Sequence, residues 1–167
     1  ARLALAKAKA AAAIIGARAT VAPSAGDKST LHNETYLIAG SDQVAVIDNK
    51  IITKPHTHSN ACEQLRRASG REVIFLTSLC LYNTHTGANQ LTVVPYTVNF
   101  LPLTDLQIEN YLTKEQPYDC AGSFKSEGLG ITLFESIQGD DPNTLIGLPL
   151  IALVKMLRAE GIDPLSQ

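Results

Sequence analysis

Two ionisable residues stand out in this sequence because their positions suit chemistry on phosphates. Asp42 follows Gly40 and Ser41 within an otherwise apolar run, and Lys54 directly precedes Pro55. A carboxylate can hold a divalent metal ion or take a proton from water, and a lysine can bind a phosphate anion. The simpler interpretation is a turn-forming aspartate and a solvated lysine, since acidic residues are common at strand ends.

The stretch of residues 36–55, YLIAGSDQVAVIDNKIITKP, has to position both side chains. Its β-branched runs are interrupted first at Gly40 and then at Asp48 and Asn49. This pattern predicts a strand, a bulge, a second strand, a tight turn and a third strand. Asp42 would then lie where a buried strand is interrupted, and Lys54 would lie where the hairpin ends.

The composition is that of a globular protein and argues against a nucleic-acid-binding or membrane protein. The chain has 167 residues, of which 45% are hydrophobic and 18% charged, so we take residues 1–167 as a single domain with a sizeable core. A formal net charge of −2 gives no sign of a nucleic-acid-binding surface. We therefore expect no nucleic acid as partner. No apolar run approaches the roughly 18 residues of a spanning helix, so we expect no membrane as partner either.

The cysteines and histidines give little indication of a metal site. Cys62, Cys80 and Cys120 are widely spaced and form no CxxC motif, which argues against disulfides and zinc and predicts a cytoplasmic protein. His56 and His58 have no evident further ligand, so we expect both to be exposed at the start of a helix. The Asp140 and Asp141 pair predicts a turn and helix cap rather than a metal site, with Asn143 as another candidate cap.

The remaining elements are predicted from periodicity and from breaker residues. Helices are expected over residues 1–15, 57–68 and 104–114 and near the C-terminal end, strands over 71–82, 90–100 and 131–137, and loops over 20–34 and 119–130. We expect the first helix to stop at Gly16, and Pro95 to mark a bulge or an edge. This order predicts an α/β domain whose sheet is mixed and partly antiparallel.

Five segments, in the same order, resemble the Maf family of nucleotide pyrophosphatases, specifically its YceF branch. They are the RLA-x-x-KA helix, GSDQV with its hairpin and Lys-Pro, QLRRASG, CAGSFKSEG and DPNTLIGLPL. The resemblance implies a two-lobed Maf/ITPase-like domain, in which a twisted, partly antiparallel sheet flanked by helices borders a central cleft. It also implies hydrolysis of the α–β phosphoanhydride of a nucleoside triphosphate, with Mg²⁺ or Mn²⁺ as cofactor. In the YceF branch the implied substrate is 7-methyl-GTP, with a housecleaning role against modified nucleotides.

The resemblance assigns roles to six residues. Asp42 would be the catalytic base and metal ligand. Lys7 and Lys54 would bind the triphosphate, and Lys125 could contact phosphate or only solvent.

Two more residues would read the purine edge. Gln43 can donate or accept hydrogen bonds and Glu127 can accept them, so the pair suits a cationic methylated guanine. We expect Asp42 and Lys54 to face a common cleft opposite the loop that bears Glu127.

The front of the sequence departs from the family pattern. Maf proteins open with a strand, a phosphate-binding turn of the S-x-S-P-x-R type and an acidic pair, none of which has a counterpart here. The resemblance therefore predicts a chain that begins partway through the next helix. Two other functions stay open: a non-catalytic nucleotide-binding or interaction module, and a pyrophosphatase for dTTP or UTP. Gln43 argues against a pyrophosphatase for dTTP or UTP, because the resemblance implies threonine at this position in the sister branch. A homodimer is compatible with the sequence.

Overall fold

The computed structural model describes residues 1–19 and 35–166, so the loop predicted over 20–34 lies outside the described residues. The described α-helices are α1 (Arg2–Ala19), α2 (His58–Ala68), α3 (Asp105–Glu115), α4 (Asn143–Ile146) and α5 (Leu150–Ala159). The described strands are β1 (Leu37–Ile47), β2 (Lys50–Ile52), β3 (Glu72–Asn83), β4 (Asn89–Phe100) and β5 (Phe134–Gln138). Within these residues no helix is long and apolar enough to cross a membrane.

The five strands form one sheet in the order β2-β1-β3-β4-β5. β1 pairs antiparallel with β2, and β4 with β5. β1 and β3 also run in opposite directions, because Tyr36 bonds to Thr84 whereas Gln43, further along, bonds to Thr77. The predicted α/β class, with an at least partly antiparallel sheet flanked by helices, is confirmed.

β1 differs from its prediction, while the turn after it does not. Leu37–Ile47 is one continuous strand, so the predicted division into two strands on either side of Gly40 is wrong. This glycine serves the close approach of a helix, described below, rather than a break in the strand. Asp48 and Asn49 have φ values of 49° and 59°, which are typical of the type I′ turn expected for a two-residue hairpin.

α1 is longer than predicted, since it continues through Gly16 to Ala19. A Cβ atom added at Gly16 would find nothing within 4 Å, so the position is open and the glycine imposes no turn there. The residues that follow include alanine and arginine, which favour helix and carry it onward.

The chain divides into two compact units, and each has its own packing. The first comprises Ala1–Asp42, Ser78–Val93 and Ile151–Gln167. Here β3 alternates: Leu79 and Leu81 pack against α5, whereas Cys80 between them packs against Ala4 and Ala8 of α1. Because side chains alternate across a strand, α1 and α5 lie on opposite faces of β3.

The second unit comprises Gln43–Thr77 and Val94–Leu150. Its core includes four phenylalanines that meet edge to face, with ring centroids 4.8–5.7 Å apart: Phe75, Phe100, Phe124 and Phe134. α2 and α3 begin within one residue of their predicted starts, and a threonine caps each of them. Thr57 Oγ1 accepts the Asn60 N–H, and Thr104 forms a reciprocal capping box with Gln107.

Candidate active site

Asp42 belongs to the first unit and lies where α1 packs against β1. Ala4 and Ala8 are fully buried, and both lie against Gly40. A Cβ atom on Gly40 would collide with the Ala4 carbonyl oxygen and would lie 2.9 Å from the Ala8 nitrogen. Glycine at this position therefore lets the helix approach the strand closely, and the approach brings Lys7 next to Asp42.

The Asp42 residue is held through both its side chain and its backbone. Lys7 Nζ lies 2.7 Å from Asp42 Oδ1 and also donates to the Ser41 carbonyl oxygen at 2.9 Å. Ser78 Oγ donates to the Asp42 carbonyl oxygen at 3.1 Å, and Ser41 Oγ donates to the Ser78 carbonyl oxygen at 3.0 Å. The Asp42 side chain is 23% exposed, so the carboxylate is fixed yet accessible to water.

Gln43, the next residue, belongs to the second unit and uses its amide nitrogen there. Nε2 donates to Thr77 Oγ1 and to the Thr144 carbonyl oxygen, both at 2.8 Å, and lies 3.2 Å from the Leu145 carbonyl oxygen. An amide group has two N–H donors, so these acceptors engage both. In the part of the chain that the structure describes, no hydrogen bond reaches Gln43 Oε1. The amide oxygen is therefore the atom of this side chain that is left to accept a further hydrogen bond.

Lys54 follows β2 and lines an open groove of ≈ 290 Å³ in the second unit. The groove is also lined by Arg67 and Glu63 of α2. Arg67 donates from Nη2 to the Ile47 carbonyl oxygen at 3.3 Å, which fixes its position, and lies 3.9 Å from the Asp48 carboxylate. The groove thus presents two cationic side chains, a combination suited to an anionic ligand.

Lys125 lies on a loop that is anchored on both sides. Before it, Phe124 is buried in the aromatic core, and the Lys125 N–H donates to the Tyr111 hydroxyl at 3.1 Å. After it, the Leu129 N–H donates to Glu115 Oε2 at 2.8 Å. Burial raises the pKa of Tyr111 well above its ordinary value, so the hydroxyl stays protonated and neutral.

Glu127 lies between these anchors and is exposed. Its carboxylate accepts a hydrogen bond from Ser126 Oγ at 3.2 Å. The Lys125 ammonium lies 4.0 Å from the Glu115 carboxylate. Glu127 is therefore an exposed carboxylate on a well-supported loop, a placement that suits ligand recognition.

The predicted site residues divide between the two units. In the first unit the structure brings Lys7 and Asp42 into contact. In the second unit no hydrogen bond or ion pair among described residues joins the predicted members to one another; these are Gln43, Lys54, Lys125 and Glu127. Arg67 was missed as a candidate site residue. It stands in the QLRRASG segment, seven residues after Asn60 at the start of α2, so the sequence did contain a signal for it.

The metal-site expectations have mixed outcomes. His56 is exposed as predicted, but His58 is only 38% exposed and contacts Glu109 and Tyr118. Asp141 is buried, and its carboxylate accepts the Asn143 N–H at 2.9 Å within the predicted turn. The predicted helix caps are wrong, because Pro142 is the N-cap residue of α4 and no side chain there makes a capping hydrogen bond.

One cluster escaped the sequence reasoning altogether. Among the described residues, His58, Cys62 and Glu109 form a group whose ligand atoms lie within 4.8 Å of one another. The His-x-x-x-Cys spacing on one helix face could have indicated it, because residues four apart on a helix are neighbours.

Comparison with known proteins identifies the family. A family model for Maf-like proteins matches residues 1–160. A protein from Methylobacillus flagellatus named 7-methyl-GTP pyrophosphatase is 58% identical over 127 residues, which are 76% of this chain and 66% of that protein. A protein of the same name from Pseudomonas fluorescens is 58% identical over 128 residues, or 77% of this chain and 67% of that one. The matched region thus spans about two thirds of each relative's length, and the chain belongs to the family of Maf-like proteins.

Proposed function

We propose that this chain is a nucleoside-triphosphate pyrophosphatase whose substrate is 7-methyl-GTP. Its membership of the Maf-like family and its 58% identity to two proteins named for that activity support the proposal. The observation that carries it is the Asp42 carboxylate, which Lys7 holds at 2.7 Å and which is still 23% exposed.

In the proposed reaction Asp42 accepts a proton from water as the water oxygen bonds to phosphorus. The P–O bond between the α and β phosphates breaks, and the products are a nucleoside monophosphate and pyrophosphate. Lys7 orients the carboxylate in the absence of nucleotide, and its 56% exposed side chain is free to rotate toward phosphate when substrate binds. Lys54 and Arg67 offer further positive charge for the triphosphate, with Lys125 as another candidate.

A divalent cation fits this site through Asp42. Mg²⁺ and Mn²⁺ prefer oxygen ligands, and Mg²⁺ is commonly held by one or two carboxylates together with substrate phosphates. No group of three potential ligands surrounds Asp42 in the described part of the chain, so phosphate and water would complete the set. When bound, the ion would neutralise charge on the phosphates.

Base recognition is proposed for Gln43 and Glu127. With its amide nitrogen engaged within the unit, Gln43 presents an acceptor, and Glu127 presents a second one. Two acceptors suit the N–H donors of a guanine edge, and a carboxylate favours a base that methylation has made cationic. These features favour 7-methyl-GTP over dTTP or UTP.

We also propose a cytoplasmic location, because Cys62, Cys80 and Cys120 are all free thiols. A homodimer stays a prediction. The ligand of the proposed site is a nucleotide, and neither nucleic acid nor a membrane is expected as a partner.

The test is a substrate panel with this chain and Mg²⁺, measuring pyrophosphate release from 7-methyl-GTP, GTP, dTTP and UTP. We expect the highest kcat/KM for 7-methyl-GTP, and we expect Glu127→Gln to reduce its advantage over GTP. Calorimetry with 7-methyl-GTP completes the experiment. Binding without pyrophosphate release would replace the proposal with a nucleotide-binding module, and a preference for dTTP or UTP would assign the enzyme to another base.

A further inference from the structure

A group of three metal-ligand side chains lies in the second unit and has no part in the proposed reaction. His58 and Cys62 are one turn apart on α2, and Glu109 faces them from α3. His58 Nε2 lies 3.0 Å from both carboxylate oxygens of Glu109, and Cys62 Sγ lies 3.7 Å from Glu109 Oε2. One nitrogen, one sulfur and one oxygen from the two helices therefore lie within 4.8 Å of one another.

We propose that His58, Cys62 and Glu109 form a site for one Zn²⁺ ion. Zinc binds imidazole, thiolate and carboxylate at about 2.0–2.3 Å, so ligand atoms in a tetrahedral site lie about 3.3–3.7 Å apart. The separations of 3.0 and 3.7 Å in the structure are close to that range. The mixed donor set selects zinc and its transition-metal neighbours over Mg²⁺, which prefers oxygen alone.

The surroundings of the cluster match those of known histidine–metal sites in one further respect. His58 Nδ1 lies 2.9 Å from the Tyr118 hydroxyl, so a hydrogen bond on this nitrogen leaves Nε2 to face Glu109. Histidine ligands of metals usually have such a partner on the second ring nitrogen, which fixes the tautomer and the ring orientation.

Local charge and access also permit a cation. Arg66, the nearest cation on α2, donates from Nε to Asp105 Oδ1 at 2.6 Å, so its positive charge is balanced next to the cluster. Cys62 is buried, whereas the side chains of His58 and Glu109 are 38% and 56% exposed. With three protein ligands and an open side, the fourth position would go to water. The bound ion would join α2 to α3.

Cobalt provides the direct test, because Co²⁺ occupies zinc sites and a thiolate ligand gives it a charge-transfer band in the near ultraviolet. Metal-free chain titrated with Co²⁺ should develop this band at one equivalent and lose it on addition of Zn²⁺. Cys62→Ser should abolish the band, whereas Cys120→Ser, which removes another free thiol of the same unit, should retain it. His58→Gln and Glu109→Gln should each weaken binding at least tenfold.

Two controls keep the test decisive. The Gln variants replace partly exposed side chains with a good helix former, so circular dichroism should show them folded even if Cys62→Ser is not. Asp42→Asn should leave the cobalt band unchanged, which separates this site from the cation of the proposed reaction. Absence of one-equivalent binding, or an undiminished band in Cys62→Ser, would overturn the proposal and leave a hydrogen-bonded cluster only.

Discussion

Replacing Gly40 by alanine should destabilise the first unit, although a Gly-to-Ala change stabilises a protein where the backbone is compatible with alanine. A Gly-to-Ala substitution in a compatible backbone stabilises by about 0.4–1 kcal/mol, because the unfolded chain loses freedom. At Gly40 the added methyl would collide with the Ala4 carbonyl oxygen and approach the Ala8 nitrogen to 2.9 Å. Both obstacles are largely helix backbone, which cannot rotate away as a side chain can.

The expected magnitude follows from this collision. Extra methyl groups in well-packed interiors cost about 1–3 kcal/mol, and the fixed backbone favours the upper part of that range. α1 must shift away from β1, and the 2.7 Å contact between Lys7 and Asp42 should lengthen with it. We therefore expect a net loss of about 2 kcal/mol in the free energy of unfolding.

Gly16→Ala is the matched control, since it lies in the same helix with nothing within 4 Å of the added carbon. It should raise the free energy of unfolding by about 0.5–1 kcal/mol, because alanine is the better helix former. Urea denaturation followed by circular dichroism measures both variants. Equal stability of Gly40→Ala and Gly16→Ala would refute the close packing of α1 on β1.

Three further predictions concern the second unit and the end of the chain. Tyr111→Phe should lower the free energy of unfolding by about 1 kcal/mol, because the Lys125 N–H loses its acceptor; an unchanged urea midpoint would count against the anchored loop. Thr144→Val should be neutral or stabilising by up to about 1 kcal/mol, since the Thr144 hydroxyl is buried and has no hydrogen-bond partner among the described residues; a large loss in thermal melting would contradict this. Hydrogen bonds from two side-chain amides lower the pKa of Glu160 below its ordinary value of 4.5. The ionised Glu160 carboxylate therefore stabilises the folded chain above pH 4.5, and this stabilisation is lost as the pH falls through the lowered pKa. Glu160→Gln should therefore flatten the fall in melting temperature below pH 4.5, and an unaltered acid profile would exclude this linkage.

Local chemistry made several elements predictable from the sequence. Asp48 and Asn49 tolerate positive φ, and so the hairpin after β1 was expected and found. Thr57 and Thr104 cap helices through contacts only three residues long, which a sequence pattern contains in full. The first residues of α2 and α3 were accordingly placed to within one position.

Features that depend on distant contacts were not predictable in the same way. Gly40 was interpreted as a strand break, because nothing nearby in the sequence shows that α1 packs against it. The contact between Lys7 and Asp42 joins residues 35 positions apart. The family resemblance implied a catalytic role for Asp42 and triphosphate binding for Lys7, but no contact between them. Glu109 lies 47 positions from Cys62, so the metal-ligand cluster becomes visible only when α2 and α3 are packed together.

The most direct test of the account compares Asp42→Asn with Asp48→Asn in pyrophosphate release from 7-methyl-GTP. Both substitutions remove one negative charge near β1 and one ion pair at 2.7 Å, since Asp48 is paired with Arg71. A general base contributes about 10²–10⁴-fold to rate, so we expect kcat to fall at least about a hundredfold in Asp42→Asn and to change little in Asp48→Asn. Wild-type turnover in Asp42→Asn, or equal losses in the two variants, would contradict the role given to Asp42.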